Sequence, residues 1–284
     1  MIEDRVRERD GIAVREWGRP GAPTAAFWHG LGPLASGAFG RELAPALVER
    51  GWRLQAPDAP GFGRSPAREP AAYAPETLGD LLLGAVDEPI ALIGHSWGAS
   101  LAVGAAARRP ECVSALVLLD AGHRDSRDRP DFDPDETLEE LTEQARAALV
   151  HFADWDGLVG VLREEVRREP TESLIGAVRE AFEQNEDGIR PISTPEVLAA
   201  GRLGVDRGAR MSSLWPLLAE SGSRVLLLTA TEPQEERAAN AGAARGLLAA
   251  IPTAEWREIE GSGHPMLADA GPRVAGLVAS WLDA

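Results

Sequence analysis

Pro89-Ile90-Ala91-Leu92-Ile93-Gly94-His95-Ser96-Trp97-Gly98 is the stretch that decides the fold. Its first five residues are apolar without helical spacing, the pattern of a strand buried on both faces. From Ala99 to Arg109 the chain is rich in Ala and Leu and then meets Pro110, the pattern of a helix stopped by proline. Ser96 therefore falls on a sharp strand-to-helix turn with a glycine two residues away on either side. Such a turn forces the serine backbone into strain, and side chains at Gly94 or Gly98 would meet neighbouring backbone. The hydroxyl is then held above the sheet, over a helix N-terminus that favours negative charge. Gly-x-Ser-x-Gly by itself is a short motif that chance supplies often; the strand before it and the helix after it give it weight.

Outward from this turn, the same alternation repeats. Strands are expected at Gly11–Trp17, Thr24–Trp28, Trp52–Ala56, Ala115–Leu119, Arg224–Thr229 and Glu255–Ile259. Helices are expected at Ser36–Arg50, Pro75–Val86, Ala238–Ala250 and Pro272–Leu282. Strands alternating with helices imply an α/β fold with a mostly parallel sheet covered on both faces. Residues 124–222 break the pattern: they read as charged, amphipathic helix throughout, with no β-like run. The expected organisation is a core of 1–123 and 223–284 carrying a helical insertion at 124–222.

With 284 residues, 44% of them hydrophobic, the chain can build a sizeable core without metals or disulfides. A formal net charge of -16 argues against nucleic acid and anionic membrane as partners, since both call for a basic face. No stretch approaches the ~20 apolar residues of a membrane helix, and Met1–Asp10 has no apolar leader core, so a cytoplasmic location is expected. The one cysteine, Cys112, reads as a small packed residue. No histidine/carboxylate cluster at ligand spacing and no nucleotide-binding glycine fingerprint occurs, so neither metal nor cofactor is expected. The oligomeric state is not readable.

A serine needs a base to become a nucleophile, and the base needs a carboxylate to orient it. Of the five histidines, His95 flanks Ser96 and cannot fold back onto it. His151 reads as a mid-helix residue of the insertion, and His123 as a support residue behind the site. His29 opens the glycine loop His29-Gly30-Leu31-Gly32-Pro33, where it braces the loop while the Leu31 amide is offered to an oxyanion. His264, in Gly261-Ser262-Gly263-His264-Pro265 after the last strand, is the expected base. For the carboxylate, Asp120 and Glu232 both end strands and both lie between Ser96 and His264 in the chain.

Together, the His-Gly loop, Pro60-Gly61-Phe62-Gly63-Arg64-Ser65, the Gly-His-Ser-Trp-Gly turn and the terminal Gly-His resemble the α/β-hydrolase superfamily. The resemblance covers about residues 11–122 and 223–284 and is specific for fold but not for substrate. It implies Ser96 as nucleophile, His264 as base, the amides of Leu31 and Trp97 as oxyanion hole, and the insertion as a cap over the pocket. The family usually carries its acid as aspartate after the strand equivalent to 226–229, where this chain has Ala230-Thr231-Glu232-Pro233. Either Glu232 substitutes or the acid has moved to Asp120. Asp120 is favoured, because Glu232 falls one residue early and precedes a stiff proline.

The expected activity is hydrolysis of a small carboxylic ester or lactone through an acyl-enzyme. The alternatives are C–C hydrolysis of a diketone-like substrate, with perhydrolase activity a lesser option, or a non-hydrolytic ligand-binding member of the same fold. A serine nucleophile argues against epoxide hydrolase and dehalogenase chemistry, which in this superfamily relies on aspartate there. Trp97, Phe152, Trp155 and Trp215 are candidate pocket residues, with plain helix packing the competing reading for the last three.

Overall fold

The computed structural model describes residues 4–186 and 188–284. The strands are β1 (Arg5–Arg9), β2 (Ile12–Trp17), β3 (Thr24–Trp28), β4 (Arg53–Pro57), β5 (Ile90–His95), β6 (Val113–Leu119), β7 (Phe182–Asn185), β8 (Gly188–Pro191), β9 (Arg224–Ala230) and β10 (Glu255–Ile259). Around the sheet lie α1 (Ser36–Glu49), α2 (Pro75–Gly84) and α3 (Trp97–Arg108). The insertion carries α4 (Leu138–Ala148), α5 (Trp155–Glu165), α6 (Glu172–Glu180), α7 (Pro195–Arg207) and α8 (Met211–Ser221). The chain closes with α9 (Gln234–Ala250) and α10 (Met266–Leu282), the latter kinked at Ala270.

The main sheet runs β1-β2-β4-β3-β5-β6-β9-β10. The β1–β2 and β2–β4 pairs are antiparallel and the rest parallel. After β3 the chain moves outward to β4, then returns to place β5 on β3's other side. That reversal leaves a crevice at the carboxyl ends of β3 and β5, the position where open α/β sheets bind ligands.

Side-chain alternation sorts the core into two layers. Phe27, Ile93, Val117, Leu226 and Leu228 face α1 and α10. Trp28, Leu92, Leu116, Leu118 and Leu227 face α2, α3, α8 and α9. Each fully buried side chain of this kind contributes about 1.5–3 kcal/mol, which is why the central strands are apolar at every position.

Two expectations are corrected. β1 extends the sheet before Gly11: Arg-Val-Arg-Glu-Arg is an exposed edge strand, joined to β2 through Asp10 and Gly11, both at positive φ. Its charges blunt an edge that would otherwise pair with other chains. The insertion is also not helical throughout. β7 and β8 form a small antiparallel hairpin, and Phe152 bridges to the buried Ile189. These strands are short and half polar; they exist because Ile189 and Phe182 find an apolar seat.

Within the insertion, α8 packs on the core beside α3 through Met211 and Leu218. The preceding helices sit over the sheet's carboxyl edge. Glu180 of α6 accepts from Arg15 and Arg41, and Arg168 donates to Glu42. In α7, Gly204 comes so close to the core that an added side-chain carbon would lie 2.2 Å from the Tyr73 carbonyl oxygen.

Candidate active site

Ser96 is the residue before α3 and has φ 54° and ψ −121°, a strained conformation for a residue with a side chain. The flanking glycines are required by space. A side-chain carbon on Gly94 would lie 2.5 Å from the Ala99 Cα, and one on Gly98 would lie 2.3 Å from the Trp28 carbonyl oxygen. Trp97 is the first residue of α3, so its amide is one of the N–H groups a helix leaves without an internal partner.

His264 follows β10 in the Gly261–Pro265 loop. Its Nε2 lies 2.8 Å from Ser96 Oγ, and its Nδ1 lies 2.8 Å from Asp120 Oδ2. Asp120 directly follows β6, at φ 52°, with its carboxylate turned in and 7% exposed. Its amide donates to the Leu228 carbonyl and its Oδ1 accepts from the Ala230 amide, both at 2.8 Å, so strand β9 fixes the carboxylate. Two bonds hold the His264 loop: His95 Nε2 donates to the His264 carbonyl at 2.9 Å, and Gly263 donates to Asp269. Burial, reinforced by His264 nearby, lowers the His95 imidazole to about 4, so it is neutral at pH 7.

Glu232 occupies a different place. Its carboxylate accepts from Gln234 at 3.2 Å, while its backbone amide donates to the Ser262 carbonyl at 3.0 Å. Thr231 does the same, and its hydroxyl accepts from Gly261. The Thr231–Glu232 turn thus braces the His264 loop through backbone, and the Glu232 side chain stands on the cavity wall.

The His29 loop closes the other side. His29 Nδ1 donates to the Gly30 carbonyl at 2.9 Å and its Nε2 accepts from the Ala59 amide at 3.1 Å. That pattern needs the neutral ring, consistent with burial lowering its proton affinity. A side-chain carbon on Gly30 would lie 3.2 Å from Ser96 Cβ, so glycine lets this loop press against the serine and set Leu31 beside it.

These groups open into a cavity of ≈ 580 Å³. Its far wall is polar. Arg129 makes two bonds to Asp206, Arg202 bonds Asp131 at 3.2 Å, and Arg124 bonds Glu236 at 3.2 Å and Asn240 at 3.0 Å. Trp97 and His123 also line it. Phe152, Trp155 and Trp215 are packing residues: Phe152 meets Phe182 edge-on, Trp155 lies under Arg179, and Trp215 donates to the Gly122 carbonyl. His151 is an exposed residue between α4 and α5, not a helix-interior one. Cys112 is buried, which pushes its thiol up to about 11. Among the described residues, no group of three or more His, Cys, Asp or Glu side chains could hold a metal, and no helix is long and apolar enough to cross a membrane.

The model of the Alpha/beta hydrolase family matches residues 25–277. Among curated proteins, the chain is 37% identical over 108 residues to a 2-hydroxy-6-oxononadienedioate/2-hydroxy-6-oxononatrienedioate hydrolase of Cupriavidus pinatubonensis, covering 36% of this chain and 37% of that one. It is 36% identical over 128 residues to an epoxide hydrolase of Caballeronia sordidicola, covering 42% and 38%. The matches thus span well under two thirds of these relatives' lengths. Among solved structures, the thioesterase domain from the curacin biosynthetic pathway superposes with a TM-score of 0.73 at 22% identity, over 99% of both chains.

Proposed function

We propose that this chain, which belongs to the alpha/beta hydrolase family, is a serine hydrolase that cleaves a small carboxylic ester or lactone through an acyl-enzyme on Ser96. One observation carries this reading: Asp120, His264 and Ser96 form a continuous hydrogen-bonded line, with both links at 2.8 Å. Such a line is what converts a hydroxyl of ordinary acidity into a nucleophile.

In the proposed reaction, Ser96 Oγ attacks the substrate carbonyl carbon as its proton passes to His264 Nε2. Asp120 keeps the His264 proton on Nδ1 and stabilises the imidazolium that forms. The Leu31 and Trp97 amides receive the negative charge on the carbonyl oxygen. When the carbon–oxygen bond to the leaving group breaks, His264 returns the proton to the departing oxygen. Water then gives a proton to the same nitrogen as it attacks the acyl carbon, and when the acyl–Ser96 bond breaks His264 returns that proton to Ser96 Oγ, which frees the acid product and restores the serine. For a lactone the two products stay joined as one hydroxy acid.

A second reading, hydrolytic C–C cleavage, is supported by the likeness to the Cupriavidus protein; it uses the same residues on a ketone carbon. The test is a panel of 4-nitrophenyl esters, lactones and diketones, followed by initial rates and intact mass. Turnover with an acyl adduct on the wild type, both lost in Ser96→Ala, is expected. Undiminished turnover in Ser96→Ala overturns the proposal, and turnover of diketones alone favours the second reading.

A further inference from the structure

His123 stands three residues beyond Asp120, on the turn that leaves β6. It is 2% exposed and yet lines the cavity that contains Ser96. Neither ring nitrogen makes a well-formed hydrogen bond among the described residues, although Asn240 and the Ala121 backbone lie near enough to favour a proton there. Burying a polar ring with its donor and acceptor unused costs free energy, and native proteins rarely tolerate it without a partner that arrives later. A packing role alone would be served better by an apolar ring of the same size.

The surroundings say what kind of partner fits. Burial dominates the environment of His123 and lowers its proton affinity, which keeps it neutral at pH 7. A neutral imidazole offers one donor and one acceptor. The cations of the wall are already engaged by carboxylates: Arg124 by Glu236, Arg129 by Asp206 and Arg202 by Asp131. Asp120 and Glu232 add further carboxylates to the same lining. A substrate carboxylate would meet repulsion here, and a purely aliphatic chain would leave the His123 nitrogens unbonded.

We propose that His123, with Asn240 beside it, is a specificity-determining residue that hydrogen-bonds an uncharged oxygen substituent, a hydroxyl or carbonyl, of the substrate. The enzyme then selects neutral oxygenated substrates over their deoxy counterparts and over carboxylated ones. This inference rests on the serine hydrolase reading above.

The test uses 4-nitrophenyl butanoate and its 3-hydroxy derivative, the 2-hydroxyethyl ester of butanoic acid beside the plain ethyl ester, and the monoethyl ester of succinic acid. Wild type, His123→Phe and His123→Gln are compared, with His123→Leu in place of the phenylalanine variant if that one is unstable. In the wild type, at least one hydroxylated substrate should exceed its deoxy partner about tenfold in kcat/KM, the worth of a neutral hydrogen bond in a desolvated site. That advantage should vanish in His123→Phe through a higher KM for the hydroxylated ester and return in His123→Gln. A residue that only packs would not separate the two substrates. No hydroxyl advantage in the wild type, an advantage that survives in His123→Phe, or the succinate ester being the best substrate overturns the proposal while leaving the hydrolase reading intact. Absence of all turnover together with failure of Ser96 to react with a fluorophosphonate overturns both.

Discussion

Replacing Asp120 by asparagine tests the assignment of the acid, because the contacts dictate which way the new amide turns. Asp120 Oδ1 accepts from the Ala230 amide and Oδ2 faces His264 Nδ1. The Ala230 N–H is a donor only, so the asparagine oxygen must take the Oδ1 position. Its NH2 group then faces His264 Nδ1, which must become an acceptor. The ring proton moves to Nε2, where it points at Ser96 Oγ and bars that nitrogen from taking the serine's proton. Loss of the correct tautomer in triads of this kind lowers kcat by about 10⁴-fold, about 5.5 kcal/mol in the barrier. Shape and the Ala230 bond are kept, so the melting temperature should stay close to that of the wild type. The assay is kcat on the best ester of the panel, with circular dichroism as a control and Glu232→Gln in parallel. Glu232→Gln should be nearly silent, since that carboxylate meets Gln234 and only the residue's backbone supports the His264 loop. Asp120→Asn activity within an order of magnitude of wild type, or a comparable collapse in Glu232→Gln, would refute the reasoning.

Two further perturbations read the scaffold. His29, His95 and His123 are all buried and held below the ordinary histidine range, His95 down to about 4. Between pH 6.5 and 4 the unfolded chain binds protons that the folded chain refuses, so stability falls as the pH drops. His95 alone accounts for about 3 kcal/mol of that loss by pH 4; a melting temperature flat from pH 7 to 4.5 would contradict this, and His95→Gln should flatten the slope in part. Gly204→Ala drives a carbon to within 2.2 Å of the Tyr73 carbonyl oxygen and should displace α7. The expected cost is about 1–3 kcal/mol of stability, with a raised KM while Ser96 stays reactive; unchanged KM and melting temperature would show that α7 is not seated this way.

The central strands were legible because burial on both faces leaves almost no polar residue in them: Ile90 to Ile93, Leu116 to Leu119 and Val225 to Leu228 admit no other reading in an α/β chain. The edge strand β1 escaped because its residues face solvent and carry charge. The hairpin of β7 and β8 escaped because its shape depends on Phe152, some thirty residues earlier in the chain, a contact that no local period encodes. In the site, the Ser96 turn announces itself through its glycines, Gly94 needed for a close approach within the turn to Ala99 and Gly98 for one to Trp28 of the neighbouring strand β3. The choice between Asp120 and Glu232 is of another kind. Both follow neighbouring strands, and the difference lies in the backbone: Asp120 takes a positive φ and is pinned to Ala230, whereas Glu232 turns its amide to Ser262. The same holds for His123, where the chain shows a histidine after a strand but not that its nitrogens are buried without a well-formed hydrogen bond among the described residues.

Covalent labelling by a fluorophosphonate, read by intact mass and peptide mapping, decides whether Ser96 is an activated nucleophile. An activated Ser96 should give one adduct per chain, mapped to Ser96, absent in Ser96→Ala and much slower to form in His264→Ala. A folded wild-type protein that takes up no probe, or that labels equally well after Ser96→Ala, would contradict it.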